Sequence, residues 1–274
     1  MRWNSLWTDG TIARKHGWSP NVEASSSQVA AAAPFVWADD SFMGLALVAR
    51  VAATTGVVDN ATAAQYADFV AQQHADFHRH LGRPLAGAPG EAFFHGWHGP
   101  DNATSCCLWS RANGWAVLSS VEVLAALEAR GHAAFPAVRA AFAAHVAALA
   151  ALLGSDGRLH QLVNDTGTFE ETSGTAMLLI GLLEGAMRGW VDEAKFAPTI
   201  ARVWQGLVDH AINTTDGTVS GICKGFGVPT PDVPARYADA CDGGKCSYYH
   251  SQPGLGSVLR AAVLMHQWQQ RVVG

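Results

Sequence analysis

The stretch GWAVLSSVEVLAALEARGHAAFPAVRAAFAAHVAALAALLG, Gly114 to Gly154, decides the fold. It reads as two helices, Gly114 to Ala129 and Phe135 to Leu153, stopped by Gly131 and Gly154. A glycine just past the last apolar residue is the usual helix stop, because it enters the left-handed region freely. The same unit repeats outward. Upstream, Asp39 to Thr54 and Ala61 to His80 form a pair of helices, the first apolar nearly all round through Met43, Leu45, Leu47, Val48 and Val51. Such a helix is buried on most sides. Downstream, Ser173 to Met187 and Glu193 to Ile212 form another pair, and Leu255 to Val272 closes the chain. Short turns join the helices at one end. Longer segments (82–109, 157–169 and 213–251) join them at the other and read as loops, the last with room for a short hairpin. Residues 1–36 read as irregular. A period near 50 residues with long loops on one side describes an array of α-hairpins. If the array closes into a ring, the long loops meet on one face, where rigid scaffolds carry their chemistry.

Composition narrows the function. Of 274 residues, 49% are hydrophobic and 15% charged, which excludes a disordered chain. The net charge of -5 offers no basic footprint for nucleic acid or anionic lipid. No apolar run reaches the roughly 18 residues of a membrane span; Gly44 to Val51 and Ala140 to Leu153 carry Arg50 and His145. The ten Trp suit flat, partly polar ligands such as sugars, although Trp also fills cores. No nucleophile elbow, phosphate loop or dinucleotide fingerprint occurs. No Cys-x2-Cys pair occurs either, so a structural zinc site is not expected.

The candidate site residues lie in the long segments and at the helix starts that follow them. Trp37-Ala38-Asp39-Asp40 sets two acids at a helix N-terminus, where capping accounts for one of them. His95-Gly96-Trp97-His98-Gly99-Pro100-Asp101 gathers two His, a Trp and an Asp in a glycine-rich turn. Trp109-Ser110-Arg111-Ala112-Asn113-Gly114-Trp115 sets an arginine between two tryptophans. That suits a carboxylate on a flat ring, or packing alone. His160-Gln161 and Glu171 precede the fifth helix, which Glu171 can cap.

Together with Phe42-Met43-Gly44, Glu171 to Met177 and Gly254 to Leu259, these segments occur in an order that resembles the unsaturated glucuronyl and rhamnogalacturonyl hydrolases, glycoside hydrolase families 88 and 105. The resemblance runs over the whole chain. It implies one all-α domain over 1–274, an (α/α)6 toroid of six hairpins. Seven strong helices stand where that toroid has twelve, so the N-terminal helices are expected to be missing. It implies an oligosaccharide substrate ending in a 4,5-unsaturated uronic acid, with no metal or cofactor. An acid protonates C4 of the enol ether, water adds at C5, and the hemiketal collapses. One carboxyl group can serve both steps in turn when burial raises its pKa. Asp39 matches the family's Trp-x-Asp acid. Trp37, Met43, His95, Trp97, Trp109, Arg111, Asn113, Trp115, His160, Gln161 and Glu171 match its substrate side, with Arg111 expected on the uronate carboxylate. One departure stands out: the family's His-Gly-aromatic segment continues with Asp, and here with His98. Either His98 or Asp101 then joins Asp39 as a catalytic residue. The alternatives are a hydrolase of saturated glucuronides and an inactive sugar-binding homologue.

Two further expectations concern location. Four of seven Asn (Asn60, Asn102, Asn164 and Asn213) lie in Asn-x-Ser/Thr sequons, against about one by chance, which favours a secreted protein. No apolar leader follows Met1. In a secreted chain Cys241 and Cys246 would close a small disulfide loop across Asp242-Gly243-Gly244-Lys245, with Cys223 competing.

Overall fold

The computed structural model describes residues 8–13, 35–99, 102–223 and 252–273. Seven helices lie among them: α1 (Ala38–Ala53), α2 (Asn60–Leu81), α3 (Ser110–Arg130), α4 (Phe135–Ala151), α5 (Thr172–Met187), α6 (Glu193–His210) and α7 (Gln252–Val273). The odd helices stand side by side, α1 on α3, α3 on α5 and α5 on α7. The even helices form a second layer behind them, α2 against α1 and α3, α4 against α3 and α5, α6 against α5. This is the all-α layered arc of a hairpin toroid.

The sequence explains which helix takes which layer. α3 and α5 sit between neighbours on both sides and are buried almost throughout, from Ser110 to Leu127 and from Thr172 to Ala186. α6 covers the arc from outside and buries one stripe, Phe196, Ile200, Val203 and Leu207, at helical spacing. Local signals set the ends. The Asp59 and Asp192 side chains accept from the backbone N–H of Thr62 and Lys195. Gly131, at φ +58°, ends α3 in the left-handed region.

Two readings need correction. The segments expected to be loops contain short strands. β2 (Gly82–Pro84) pairs with β3 (Glu91–Phe93), and β4 (Gly96–His98) lies between β1 (Phe35–Trp37) and β5 (Ala103–Thr104). β6 (Leu159–Leu162) and β7 (Asp165–Glu171) form a hairpin. Six of these strands have two to four residues, one of them with every residue buried, and β7 runs seven residues with no alternation of burial, so none shows a period of two. The third helix also starts at Ser110 rather than Gly114, because Gly114 marks a helix contact and not a helix start. A Cβ there would meet the Met177 side chain at 2.6 Å.

The same device recurs along the α3–α5 contact. A Cβ on Gly181 would lie 2.3 Å from Val117, and one on Gly174 would lie 2.1 Å from Ser110 Oγ and 2.6 Å from the Ser110 backbone. Glycine brings the two backbones together where their N-termini carry the site. Lower down, charges tie all four odd helices. Arg50 makes two bonds to Glu122, Arg260 reaches both Glu122 and Glu184, and Arg188 bonds Glu184. Burial would raise the Glu122 pKa, but its two guanidinium partners outweigh that and hold it below the usual carboxylate value. Met43 and Leu47 on α1, and Leu259 and Val263 on α7, are exposed large apolar side chains. No helix among the described residues is long and apolar enough to cross a membrane. The four sequon asparagines are all exposed.

Gly174→Ala should destabilise the fold by about 1–3 kcal/mol, because the clash is with backbone. The denaturant midpoint measures it, and an unchanged midpoint would show that the helices separate freely. A second outcome concerns pH. His74 and His145 are buried, and burial, aided by the nearby His78, holds both well below the ordinary histidine value, His145 at about 3. The folded chain keeps them neutral, whereas the unfolded chain protonates them below about 6.5. Stability from this source is therefore complete above pH 6.5 and falls as the pH drops toward 3. Urea unfolding at pH 7 and pH 4 should show a loss on the order of a few kcal/mol.

Candidate active site

The N-terminal ends of α1, α3 and α5 meet at one end of the arc, because every odd helix follows a long connection. Each brings a tryptophan or an acid from the residue before its first turn: Trp37, Trp109 and Glu171. Strand β4 pairs with β1, setting Gly96 opposite Trp37. That pairing delivers His95 to the start of α1. Its carbonyl accepts the Ala38 N–H at 3.0 Å, and its Nε2 lies 3.2 Å from Asp39 Oδ2. The His95 ring is buried against Trp37 and Trp109, with centroids 5.8 and 4.6 Å away. The Asp39 side chain keeps 20% of its surface open. Asp39, His95, Trp37 and Trp109 therefore form one group.

A second group lies between α3 and α5. Arg111 Nε donates to Ser173 Oγ at 2.8 Å, and Nη2 donates to the Cys223 carbonyl. Its guanidinium sits 5.3 Å from the Trp109 ring centroid and 3.6 Å from Glu171 Oε1. Glu171 is fully buried and accepts four bonds: from Ser173 N, Ser173 Oγ, Gly174 N and Cys223 N. It caps α5, as the sequence allowed. Gln161 Nε2 donates to Cys223 Sγ at 2.8 Å, and burial pushes that thiol up to about 12. His160 donates from Nδ1 to the Thr168 carbonyl across the β6–β7 hairpin.

The remaining expected residues spread around these groups. Trp97 stacks on His80 at 4.1 Å and donates from Nε1 to Asn102. Trp115 stacks on Phe42 at 5.2 Å, and Asn113 is fully buried beneath the site. Met43, one turn beyond Asp39, is exposed. His98 pairs with Phe35, at the far end of β1 from Asp39. Asp101 lies outside the described residues, as do Cys241 and Cys246. Cys223 is buried, and Cys106 is joined to Cys107 in the turn before Trp109. Sequence reasoning missed Ser173 and Cys223 as partners of Arg111. The Ser173 hydroxyl beside a capping glutamate was a usable signal, whereas the Cys223 backbone leaves none. No three metal-binding side chains converge among the described residues.

The model of glycosyl hydrolase family 88 matches residues 25–252. The chain belongs to glycosyl hydrolase family 88. Solved structures share its fold. A possible GH105 member from Salmonella enterica superposes with a TM-score of 0.74 at 19% identity, covering 97% of this chain and 62% of the other. A family 105 glycoside hydrolase from C. acetobutylicum gives 0.72 at 20%, covering 85% and 65%. The unsaturated glucuronyl hydrolase of Bacillus sp. GL1, described as responsible for glycosaminoglycan degradation, gives 0.58 at 16%, covering 85% and 58%. The chain thus spans less than two thirds of the length of these relatives. No curated protein matches it in sequence.

In this family 88 chain the buried Arg111–Glu171 pair should resist piecemeal change. Glu171→Gln keeps the shape but leaves the guanidinium without its counter-charge, a loss of about 3–5 kcal/mol for a pair of this kind. Thermal unfolding of the variant measures it, and an unchanged midpoint would mean that Glu171 contributes only its cap.

Proposed function

We propose that the chain hydrolyses oligosaccharides ending in a 4,5-unsaturated uronic acid, with Asp39 as proton donor. The observation that carries this reading is the contrast between the two acids of the site. Glu171 has spent its oxygens on four donors of the protein and is closed to solvent. Asp39 stands in the first turn of α1, partly open, with its carboxylate oriented by His95. It is the acid with a surface left for a substrate.

The reaction then follows from the bond to be broken. Asp39 gives its proton to C4, and the positive charge at C5 is shared with the ring oxygen. Water adds at C5 and returns a proton to the Asp39 carboxylate. The C5 hemiketal opens to a ketone, and C1 releases the next sugar as an alcohol. Trp37 and Trp109 are buried and form the wall that holds the His95 ring against Asp39. The Arg111 donors lie on Ser173 and Cys223, so in this reading it holds the α3 and α5 ends together beneath the substrate. His98, at the end of β4, is the second candidate acid of this reading, with Asp101 three residues on in the sequence as its alternative.

The test is turnover of a lyase-generated unsaturated disaccharide, followed by loss of the ultraviolet absorbance of its conjugated double bond. A saturated glucuronide is run beside it. The unsaturated sugar should be consumed and the saturated one spared. Asp39→Asn should fold and lose about a hundred-fold or more in kcat, the usual contribution of a positioned acid. Near-normal turnover by Asp39→Asn would remove it from the mechanism. Turnover of the saturated sugar alone would favour an ordinary glucuronidase.

A further inference from the structure

We infer that Asn113 is a positioning residue that sets Asp39 from behind the site, through the backbone of Phe93 and His95; this rests on the reading of Asp39 above. Asn113 is fully buried in the first turn of α3, so its amide meets only protein. Its Oδ1 accepts the Phe93 N–H at 2.8 Å, and its Nδ2 donates to the Phe93 carbonyl at 3.0 Å and to the Trp109 carbonyl at 2.9 Å. The side chain thus pairs with both backbone groups of one residue, as a neighbouring strand would. Only a side-chain amide offers an acceptor and two donors in that plane.

The contact has a second layer. His145 Nε2 lies 3.1 Å from the same Oδ1. That oxygen can only accept, so Nε2 carries a proton. His145, held neutral by burial, is therefore the Nε2–H tautomer, and its ring lies 4.9 Å from the Phe93 ring. Helix α4 in this way fixes the amide that fixes Phe93. Two residues on, an extended span of at most about 7 Å, stands His95. Its carbonyl takes the first N–H of α1, and its ring meets Asp39. Phe94 is pinned between them by its N–H to the Leu81 carbonyl, so the span has little freedom to absorb a shift. A displacement at Phe93 is passed to the base of the proton donor. An error near 1 Å in such a donor costs roughly a hundred-fold in rate.

The test compares Asn113→Ala and Asn113→Asp with Ser120→Ala, a control on the same helix whose hydroxyl bonds His74 and the Ala116 carbonyl and makes no bond to Phe93, His95 or Ala38. Asn113→Asp keeps the shape and the acceptor for Phe93 and loses the Nδ2 donors, so it serves if the alanine variant does not fold. Two readouts are taken: amide hydrogen exchange at Phe93 and Ala38, and kcat and KM on the unsaturated disaccharide. In Asn113→Ala exchange should quicken at both amides; in Asn113→Asp, which keeps the Phe93 acceptor, it should quicken at Ala38; and in both kcat should fall about a hundred-fold with KM within a few-fold. Ser120→Ala should leave kcat and the Ala38 amide as they were. Faster exchange at Phe93 alone, with kcat unchanged, would make Asn113 a local packing residue and overturn the inference. If the parent chain turns over no unsaturated sugar, the reading of Asp39 fails by itself, and the Ala38 amide still decides whether Asn113 reaches the start of α1.

Discussion

The buried contact between Arg111 and Glu171 is the interaction on which the site end of the molecule depends. Both side chains are withdrawn from water, with 4% and 0% of their surface left, and their charged atoms stand 3.6 Å apart. Neither charge is stable there alone. The pair holds because neighbouring groups bond both charges: Glu171 takes N–H groups of α5 and of Cys223, and Arg111 takes Ser173 and the Cys223 carbonyl. One arrangement of α3, α5 and the 221–223 segment satisfies all of them. That arrangement sets Trp109, which in turn forms one wall around His95. The geometry of Asp39 is thus tied to a pair of charges almost wholly withdrawn from water.

The rest of the fold serves this end in two ways. Small residues allow α3 and α5 to approach until Gly174 meets Ser110 and Gly181 meets Val117, which makes the spacing of the helix ends a matter of backbone contact. At the other end, Glu122 and Glu184 share Arg260, and Arg50 joins Glu122, so the four odd helices are also registered by charge. These lower pairs are partly open to solvent and contribute less than the buried one. They fix relative position more than they add stability.

The sequence made the helices legible because glycine stops and apolar spacing are local signals. The all-round burial expected of α1 fails, because Met43 and Leu47 lie on its exposed face. Trp37-Ala38-Asp39 and the segments that follow it carried the family, and the family model agrees. The strands were not legible. β1 and β4 pair across some sixty residues and are three residues long, so no local pattern records them. The partners of Arg111 were hidden for the same reason: an arginine between two tryptophans suits a ligand as well as a buried acid, and only the fold sets Glu171 beside it. Asn113 shows the limit most clearly. It lies within a recognisable motif, yet its partner is the backbone of Phe93, twenty residues away, and backbone leaves no trace in sequence.

The most direct measurement is a crystal structure of the Asp39→Asn variant with an unsaturated uronyl disaccharide. The double bond should lie at the joined N-termini of α1, α3 and α5, with C4 within hydrogen-bond reach of residue 39. A sugar seated elsewhere on the arc, or one that turns a saturated carbon toward residue 39, would contradict it.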